Sequence, residues 1–270
     1  MSPDTIETSV GTMPVLHRLA LGVLLRDAVD DSTARGRLRV GWEATGRLLP
    51  HRSSADWPCI DLEPVGGARF RLRATPRRPQ QLTLRIDDPS RRYVPRRLGV
   101  TLWSNAELSD PVPANAIATA SRTVPVWLFP GAAYPLPRGS TAIRGRVVRQ
   151  GRAVPWARVR ALGTTGATLG TSHGDDRGEF LLHITDLAQN PVQSTVGARL
   201  LVRGPVGTPA LPPVETAIRP ANPPGPGDLD NALLRGAAPP VGHLPSTLPP
   251  PLFTVDVGQE QVVGDIPFDL

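Results

Sequence analysis

AIRGRVVRQGRAVPWARVRALGTTGATLGTSHGDDRGEFLLHI, residues 142–184, is the stretch that predicts the fold of this chain. Apolar residues alternate with Arg over 157–161, which is the period-two pattern of a strand with one buried face. The Asp-Asp-Arg-Gly sequence at 175–178 has the composition of a tight turn, and Phe180 and Leu182 begin another inward-facing row. The stretch therefore predicts consecutive short antiparallel strands.

The same residues carry a family resemblance. A strand with Gly-x-Val is followed by Gly-x-x-Val-Pro-x-Ala-x-Val, then by Thr, then by Asp-Asp-x-Gly-x-Phe-x-Leu. This order resembles the carboxypeptidase regulatory-like domain, a transthyretin-like β-sandwich. The matching residues are Gly145, Val147, Gly151, Pro155, Ala157, Val159, Thr171, Asp176, Gly178, Phe180 and Leu182. The resemblance implies a sandwich over about residues 140–205, and because its motif is a fold signature it implies no particular activity.

A second region repeats this pattern earlier in the chain. Gly67-Ala-Arg-Phe70-Arg-Leu72 echoes Gly178-Glu-Phe180-Leu-Leu182, and both segments follow a turn and precede another aliphatic strand. We therefore predict an all-β protein with two tandem Ig/transthyretin-like sandwiches, the first over about residues 19–103. The alternative is that two unrelated antiparallel domains share such short patches.

The predicted organisation has four parts. They are a flexible arm at 1–14, a first sandwich at 15–103, a linker or docked segment at 104–140, and a second sandwich at 141–270. The last part includes a Pro-rich segment at 204–251, in which fourteen of 48 residues are Pro. We expect no strand or helix of ordinary length there, because extended polyproline-like structure suits that composition.

Charge and cysteine content bound the functional classes. All thirty basic residues are Arg, and the net charge of +6 arises in residues 1–100, which hold 17 Arg against 11 acids. A single cysteine, Cys59, excludes an internal disulfide and favours a reducing compartment. The start of the chain lacks a basic region, and no apolar run reaches the roughly 20 residues of a membrane span. We expect a cytoplasmic protein without a membrane span.

Arginine rows are the most distinctive surface feature of the sequence. Alternate Arg residues lie along two predicted strands, at Arg35, Arg37 and Arg39 and at Arg69, Arg71 and Arg73. If the two strands share a sheet, these side chains form a basic field that suits phosphates or a carboxylate-rich surface. The candidate binding residues are Arg37, Arg39, Arg71 and Arg73. The alternative is a solvated face balanced by nearby acids, and nucleic acid is disfavoured because no aromatic residues are interleaved.

One short motif invites an enzymatic interpretation. Gly170-Thr-Ser172-His-Gly174 matches the nucleophile elbow of serine hydrolases. That elbow needs a helix after the serine, whereas a turn and a strand are predicted here, and the adjacent His173 cannot reach Ser172 as a base. We interpret the motif as a chance match in a β-turn, and a serine hydrolase at Ser172 remains the least favoured alternative.

Metal-dependent chemistry is also disfavoured. His173, Asp175, Asp176 and Glu179 could be imagined as a metal cluster, but turn chemistry explains the two Asp residues. No His is followed by Glu at the His-x-x-Glu spacing of zinc carboxypeptidases. Intradiol dioxygenases, which have a similar sandwich, hold iron with two Tyr and two His, and the two tyrosines here lack matching histidines. We expect no enzyme, no metal and no cofactor.

The sequence favours a non-enzymatic structural protein whose partners are other protein subunits of a larger assembly. Two sandwiches, an arm and a Pro-rich segment suit a chain that neighbouring subunits order. The family resemblance implies that a phage-tail-like or contractile injection particle, assembled in the cytoplasm, is one such setting. The alternative is a module that binds a carbohydrate or a polyanion through its Arg-bearing sheet.

Overall fold

The computed structural model describes residues 6–10, 13–44, 57–75, 78–185 and 194–270. Strands make up 47% of the structure and helices 6%, which confirms the all-β class. Strand β1 (Ile6–Val10) lies in the predicted arm and pairs as an antiparallel hairpin with β2 (Met13–His17), which extends past the predicted end of the arm. The rest of that arm, residues 1–5 and 11–12, lies outside the described residues.

The first half of the chain forms one set of strands. They are β3 (Leu19–Asp27), β4 (Arg39–Glu43), β5 (Cys59–Asp61), β6 (Glu63–Gly66), β7 (Arg69–Arg73), β8 (Gln81–Asp87), β9 (Arg96–Thr101) and β10 (Thr123–Leu128). One sheet has the order β10-β3-β7-β6, and the second contains β9-β8-β4-β5. A short helix, α1 (Asn105–Leu108), follows β9.

Alternating apolar residues on these two sheets meet in a first buried cluster. Its members include Leu21, Val23 and Leu25 of β3, Val124, Val126 and Leu128 of β10, Leu82, Leu84 and Ile86 of β8, and Leu98 and Val100 of β9. Burial of such side chains is the main favourable term in folding. The period-two pattern therefore fixes which face of each strand points inward.

The second half forms another set of elements. They are β11 (Thr141–Arg149), β12 (Arg152–Ala153), β13 (Arg158–Leu162), β14 (Thr168–His173), β15 (Glu179–Ile184), β16 (Thr195–Pro205), β17 (Val214–Ile218), α2 (Pro226–Leu229), β18 (His243–Pro245), β19 (Leu252–Asp256) and β20 (Glu260–Pro267). Strand β11 pairs with β12, β15 and β20, and β13 pairs with β14 and β16. Strand β16 also pairs with β18 and β19.

The two halves share one strand order. In the first half, β3 pairs in parallel with β10 and antiparallel with β7, while β4 pairs with β5 and β8, and β8 with β9. The second half repeats each of these pairings, parallel or antiparallel as in the first. The strands that correspond, in order, to β3, β4, β5, β7, β8, β9 and β10 are β11, β13, β14, β15, β16, β19 and β20. The difference is a long insertion between β16 and β19, residues 206–251, where the first half has a short turn.

This insertion returns to the first half of the chain. Its strand β17 pairs in parallel with β9 and so extends the first half's second sheet to β17-β9-β8-β4-β5. The expectation of no strand in the Pro-rich segment was therefore wrong. The prolines flank β17 and do not interrupt it, because Pro213 precedes the strand and Pro220 follows it. A proline-free run of this length is sufficient for a strand at a sheet edge.

The segment predicted as a linker is also part of a sheet. Residues 123–128 form β10, an edge strand of the β10-β3-β7-β6 sheet. Its Pro125 is tolerated because an edge strand needs hydrogen bonds on one side only.

Strand β15 joins the two halves because both of its faces are buried. Phe180 and Leu182 point into the second apolar cluster, and Leu181 points into the first. Ala142 on the neighbouring β11 also belongs to the first cluster. The halves therefore meet through an apolar contact, and the insertion adds Leu234 to the same cluster.

Replacing Leu234 by Ala tests this anchoring. Leu234 is fully buried, so Leu234→Ala is expected to lower the free energy of unfolding by about 2–5 kcal/mol through lost transfer energy and a cavity. Val241→Ala is the matched control, because Val241 lies in the same insertion and is 90% exposed. Urea denaturation of both variants checks the prediction, and equal small effects would show that Leu234 is not an anchor.

Candidate functional site

A buried group of charged side chains lies where the insertion meets both halves. Glu215 of β17 forms ion pairs with Arg96 at the start of β9 and with Arg158 at the start of β13. The Arg96 Nε is 3.3 Å from Glu215 Oε1, and an Nη2 of Arg158 is 3.2 Å from the same oxygen. Arg96 and Glu215 are almost fully buried. We call Arg96, Arg158 and Glu215 the junction triad.

Arg96 also ties the triad to the backbone of two further segments. Its Nη1 donates hydrogen bonds to the carbonyls of Trp127 (2.6 Å) and Leu234 (2.8 Å), and its Nη2 donates to the carbonyl of Leu233 (2.9 Å). The planar guanidinium can satisfy several acceptors at once, which is the property that suits Arg to buried sites. One side chain therefore holds β10 and the insertion in place.

The triad places two positive charges against one negative charge inside the protein. Burial lowers the pKa of Arg158 to about 10, the Glu215 carboxylate opposes that shift, and the charge of Arg96 adds to it. Desolvating three charged groups is expensive, and it is offset only when each is paired and hydrogen-bonded. This site therefore depends strongly on Glu215.

His173 lies next to the triad and is 1% exposed. Its ring stacks on Phe129 with a centroid distance of 3.8 Å, and its Nε2 is 2.8 Å from the Gly236 carbonyl. Burial, and then the charges of Arg158 and Arg96, hold the pKa of His173 well below its usual value. The imidazole is therefore neutral, with Nε2–H donating to Gly236 and Nδ1 left as an acceptor.

Gly236 is required where the insertion covers this ring. Its φ of +70° lies in the left-handed region, and a Cβ there would come within 2.7 Å of a Phe129 ring carbon and 2.9 Å of the His173 ring. Only glycine meets both conditions without displacing neighbours. The insertion therefore seals His173 by close backbone approach.

Ser172 occupies a position unlike the one assigned from the sequence. It belongs to strand β14 with His173, so the interpretation of both residues as part of a β-turn was wrong; the turn begins after His173. Ser172 is fully buried, and its Oγ donates a hydrogen bond to the Leu181 carbonyl at 2.8 Å. The strand continues through a turn into β15, whereas a nucleophile elbow leads into a helix.

Asp175 acts within that turn. Its Oδ1 accepts hydrogen bonds from the backbone N–H groups of Arg177 (2.8 Å) and Glu179 (3.0 Å), as in the turn chemistry inferred from the sequence. Arg91 lies 3.9 Å from Asp175 and 3.7 Å from Asp176. Among the described residues, no group of three or more His, Cys, Asp or Glu is arranged to hold a metal ion.

The four arginines predicted to bind a polyanion are divided between two sheets. Strand β4 carries Arg39 in one sheet and β7 carries Arg71 and Arg73 in the other, so the proposed field on a shared sheet does not form. Arg37 lies before β4 begins. From the sequence, the shared sheet was only a condition of the basic field, because alternation reports which face a residue takes but gives no strand pairing.

Arg71 and Arg73 share one carboxylate partner, which balances one of their two charges. Both donate hydrogen bonds to Glu63, with Arg73 Nε 2.9 Å from its carboxylate, and these bonds lower the pKa of Glu63 to about 2. Arg37, Arg39 and a different residue of β7, Arg69, line one cavity of about 390 Å³. The cavity thus brings together two of the four predicted arginines, Arg37 and Arg39, with Arg69.

Exposed large apolar side chains are concentrated near the C-terminal end of the described chain. Of twelve such residues, two precede the insertion, Val65 and Val112. The other ten are Val206, Leu211, Val214, Val241, Leu244, Leu248, Leu252, Val257, Val262 and Leu270. Scattered exposed apolar residues are ordinary, and these ten are grouped along the chain from Val206 to Leu270.

Comparisons with known proteins identify no family for this chain. No protein-family model matches the chain, and no curated protein matches it. Among solved structures, the Bacillus anthracis TIE protein is similar, with 7% identity and a TM-score of 0.24 over 92% of this chain. The match spans 33% of that structure. No helix in the described part of the chain is long and apolar enough to cross a membrane.

Sequence reasoning missed the junction triad. Arg96 and Arg158 resemble many other arginines in the sequence, and nothing local distinguishes them. Glu215 carried a usable signal, because it is the only acidic residue between Asp186 and Asp228 in a proline-rich, largely apolar stretch. A solitary carboxylate in such surroundings indicates a buried partner, since an unpaired charge would not be retained there.

Replacing Glu215 by Gln tests the role of the triad. The variant leaves Arg96 and Arg158 buried without a counter-charge, so Glu215→Gln is expected to lower the free energy of unfolding by about 3–5 kcal/mol. Glu63→Gln is the matched control: it also loses contacts with two arginines, but its side chain is 38% exposed, so it should change stability by about 1 kcal/mol or less. Denaturant unfolding measures both, and similar values for the two variants would contradict the assignment.

Proposed function

We propose that this chain is a non-enzymatic structural protein that contacts other subunits of an assembly through its C-terminal part. The observation that carries the proposal is the concentration of exposed apolar residues in the insertion and in β19 and β20. Such residues lower the free energy when a partner covers them, and protein interfaces are built around them.

The support beneath this surface is rigid. Glu215, Leu234 and His243 of the insertion are buried, and His243 Nε2 is 3.0 Å from the Trp156 carbonyl. Exposed residues such as Val241 and Leu244 therefore lie close in the chain to buried residues that hold the backbone in place. A surface ordered before binding loses less conformational entropy when a partner docks, which favours a stable contact.

The shared strand order supports two finer parts of the proposal. Five equivalent pairings in each half fit tandem Ig/transthyretin-like sandwiches, and the turn chemistry at Asp175 fits the carboxypeptidase regulatory-like resemblance. That family occurs in phage-tail-like particles, so we propose a phage-tail-like or contractile injection particle, assembled in the cytoplasm, as the setting. The buried, hydrogen-bonded Ser172 supports a non-catalytic role.

Light scattering after size-exclusion chromatography tests the assembly role. The tagged chain, purified gently from its native cells, is expected to elute in a complex heavier than one chain. The triple variant Val241→Ser, Leu244→Ser, Leu252→Ser should elute as a single chain because the apolar contact is lost. The control Val65→Ser, Val112→Ser removes exposed apolar residues elsewhere and should retain the complex. Elution of the unmodified protein as a lone monomer would contradict the proposal.

A second candidate function is binding of a polyanion at Arg37, Arg39 and Arg69. The cavity that these residues line supports it, and the guanidinium of Arg39 lies over the Trp57 ring at 4.3 Å, a cation–π contact that orients the charged end of the side chain. Asp61 also lines the cavity, so the positive charge is partly balanced. This proposal retains two of the four arginines chosen from the sequence and adds Arg69.

A heparin column tests the second candidate. Arg37→Ser, Arg39→Ser, Arg69→Ser is expected to elute at clearly lower salt than the unmodified protein, because three charges free to meet sulfates are removed. Arg138→Ser, Arg152→Ser, Arg199→Ser is the matched control, since it removes the same number of charges from exposed arginines that do not line this cavity, and it should elute at higher salt than the cavity variant. Equal retention of both variants would exclude this cavity as the binding site.

A further inference from the structure

A second cavity, of about 320 Å³, lies on the second half of the chain. It is bounded by the β14-β13-β16 sheet on one side and by residues 245–251 of the insertion on the other. Three arginines and His173 line it, and no acidic residue does: the arginines are Arg158, Arg160 and Arg203. The cavity is within the size range of small-molecule sites.

The arginines are arranged against the usual rules of strand pairing. Arg158 of β13 lies directly opposite Arg203 of β16, and like charges in opposed positions destabilise a sheet. Glu215 compensates Arg158. Arg203 donates one hydrogen bond, from Nη1 to the His243 carbonyl at 3.3 Å, while Arg160 has no hydrogen bond or ion pair within the described part of the chain. Arg160 and Arg203 on this face therefore have no carboxylate partner among the described residues.

Two buried polar atoms at the wall of the cavity are also unsatisfied. The Nε of Arg158 and the Nδ1 of His173 have no hydrogen-bond partner among the described residues. Buried polar atoms in folded proteins are nearly always hydrogen-bonded, so each exception calls for an explanation. Both atoms are buried, so an anionic ligand would instead meet the exposed side chains of Arg160 and Arg203.

The opposite wall is apolar. Leu248 and the three consecutive prolines 249–251 form it, with Pro239 and Ala237 beside them. A bare inorganic ion would gain nothing from such a wall, whereas a ligand with an apolar body would bury surface against it. The two walls together favour a molecule that is anionic at one end and apolar along the rest.

We propose that this cavity binds a small organic monocarboxylate, with its carboxylate held by Arg160 and Arg203 and its apolar body against the proline wall. The guanidinium fork matches the geometry of a carboxylate and forms paired, charge-assisted hydrogen bonds with it. The ligand would supply the carboxylate partner that Arg160 and Arg203 lack among the described residues. The proposal is independent of the assembly role, because it needs only the isolated chain.

Isothermal titration of the full chain with sodium octanoate tests the proposal. Octanoate is expected to bind saturably at one site. Octan-1-ol, which keeps the apolar body without the charge, and inorganic phosphate, which keeps a charge without the body, should each bind at least about tenfold more weakly.

Two variants locate the site. Arg160 is exposed, so Arg160→Gln should fold normally and weaken octanoate binding about tenfold. Arg199→Gln is the matched control, because Arg199 is an exposed arginine of the adjacent strand β16 that does not line the cavity. Absence of saturable octanoate binding, equal binding of octan-1-ol or phosphate, or equal effects of the two substitutions would each overturn the proposal.

Discussion

The carboxylate of Glu215 is the constraint on which the arrangement of the chain depends. It lies between Arg96 of the first half and Arg158 of the second, and it belongs to an insertion that returns to the first half. Two buried guanidinium groups at this point would be strongly unfavourable without it. The position of the insertion is therefore determined by charge compensation as well as by apolar packing.

Apolar contact supplies the remainder of the junction. Strand β15 is buried on both faces, so Leu181 packs into the first cluster while its neighbours Phe180 and Leu182 pack into the second. Apolar packing does not depend on direction, but hydrogen bonding in the triad does. The bonds that Arg96 donates form only when the carbonyls of Trp127 and Leu234 lie at the right positions. We infer that packing brings the halves together and that the triad selects their register.

The insertion also gives the protein its distinctive surfaces. With its buried residues fixed at the junction, its remaining apolar side chains are held outward, and residues 245–251 form a wall over the second half's outer sheet. In the first half, the equivalent connection is a short turn, and it creates neither feature. Both proposed roles therefore depend on the insertion, which only the second half has. These roles are contact with other subunits and binding of a small carboxylate.

The sequence by itself determined the all-β class, most strand positions and the turn chemistry of residues such as Asp175, because alternation and turn composition are local properties. It did not reveal that β4 and β7 lie in different sheets, that Val214–Ile218 crosses back to β9, or that Glu215 meets two arginines. Strand pairing and ion pairing join residues distant in the chain, and thirty arginines offer many equivalent partners. The tertiary structure distinguishes these partners. It buries a few of the ion pairs, which makes them strong, and it leaves the others in solvent.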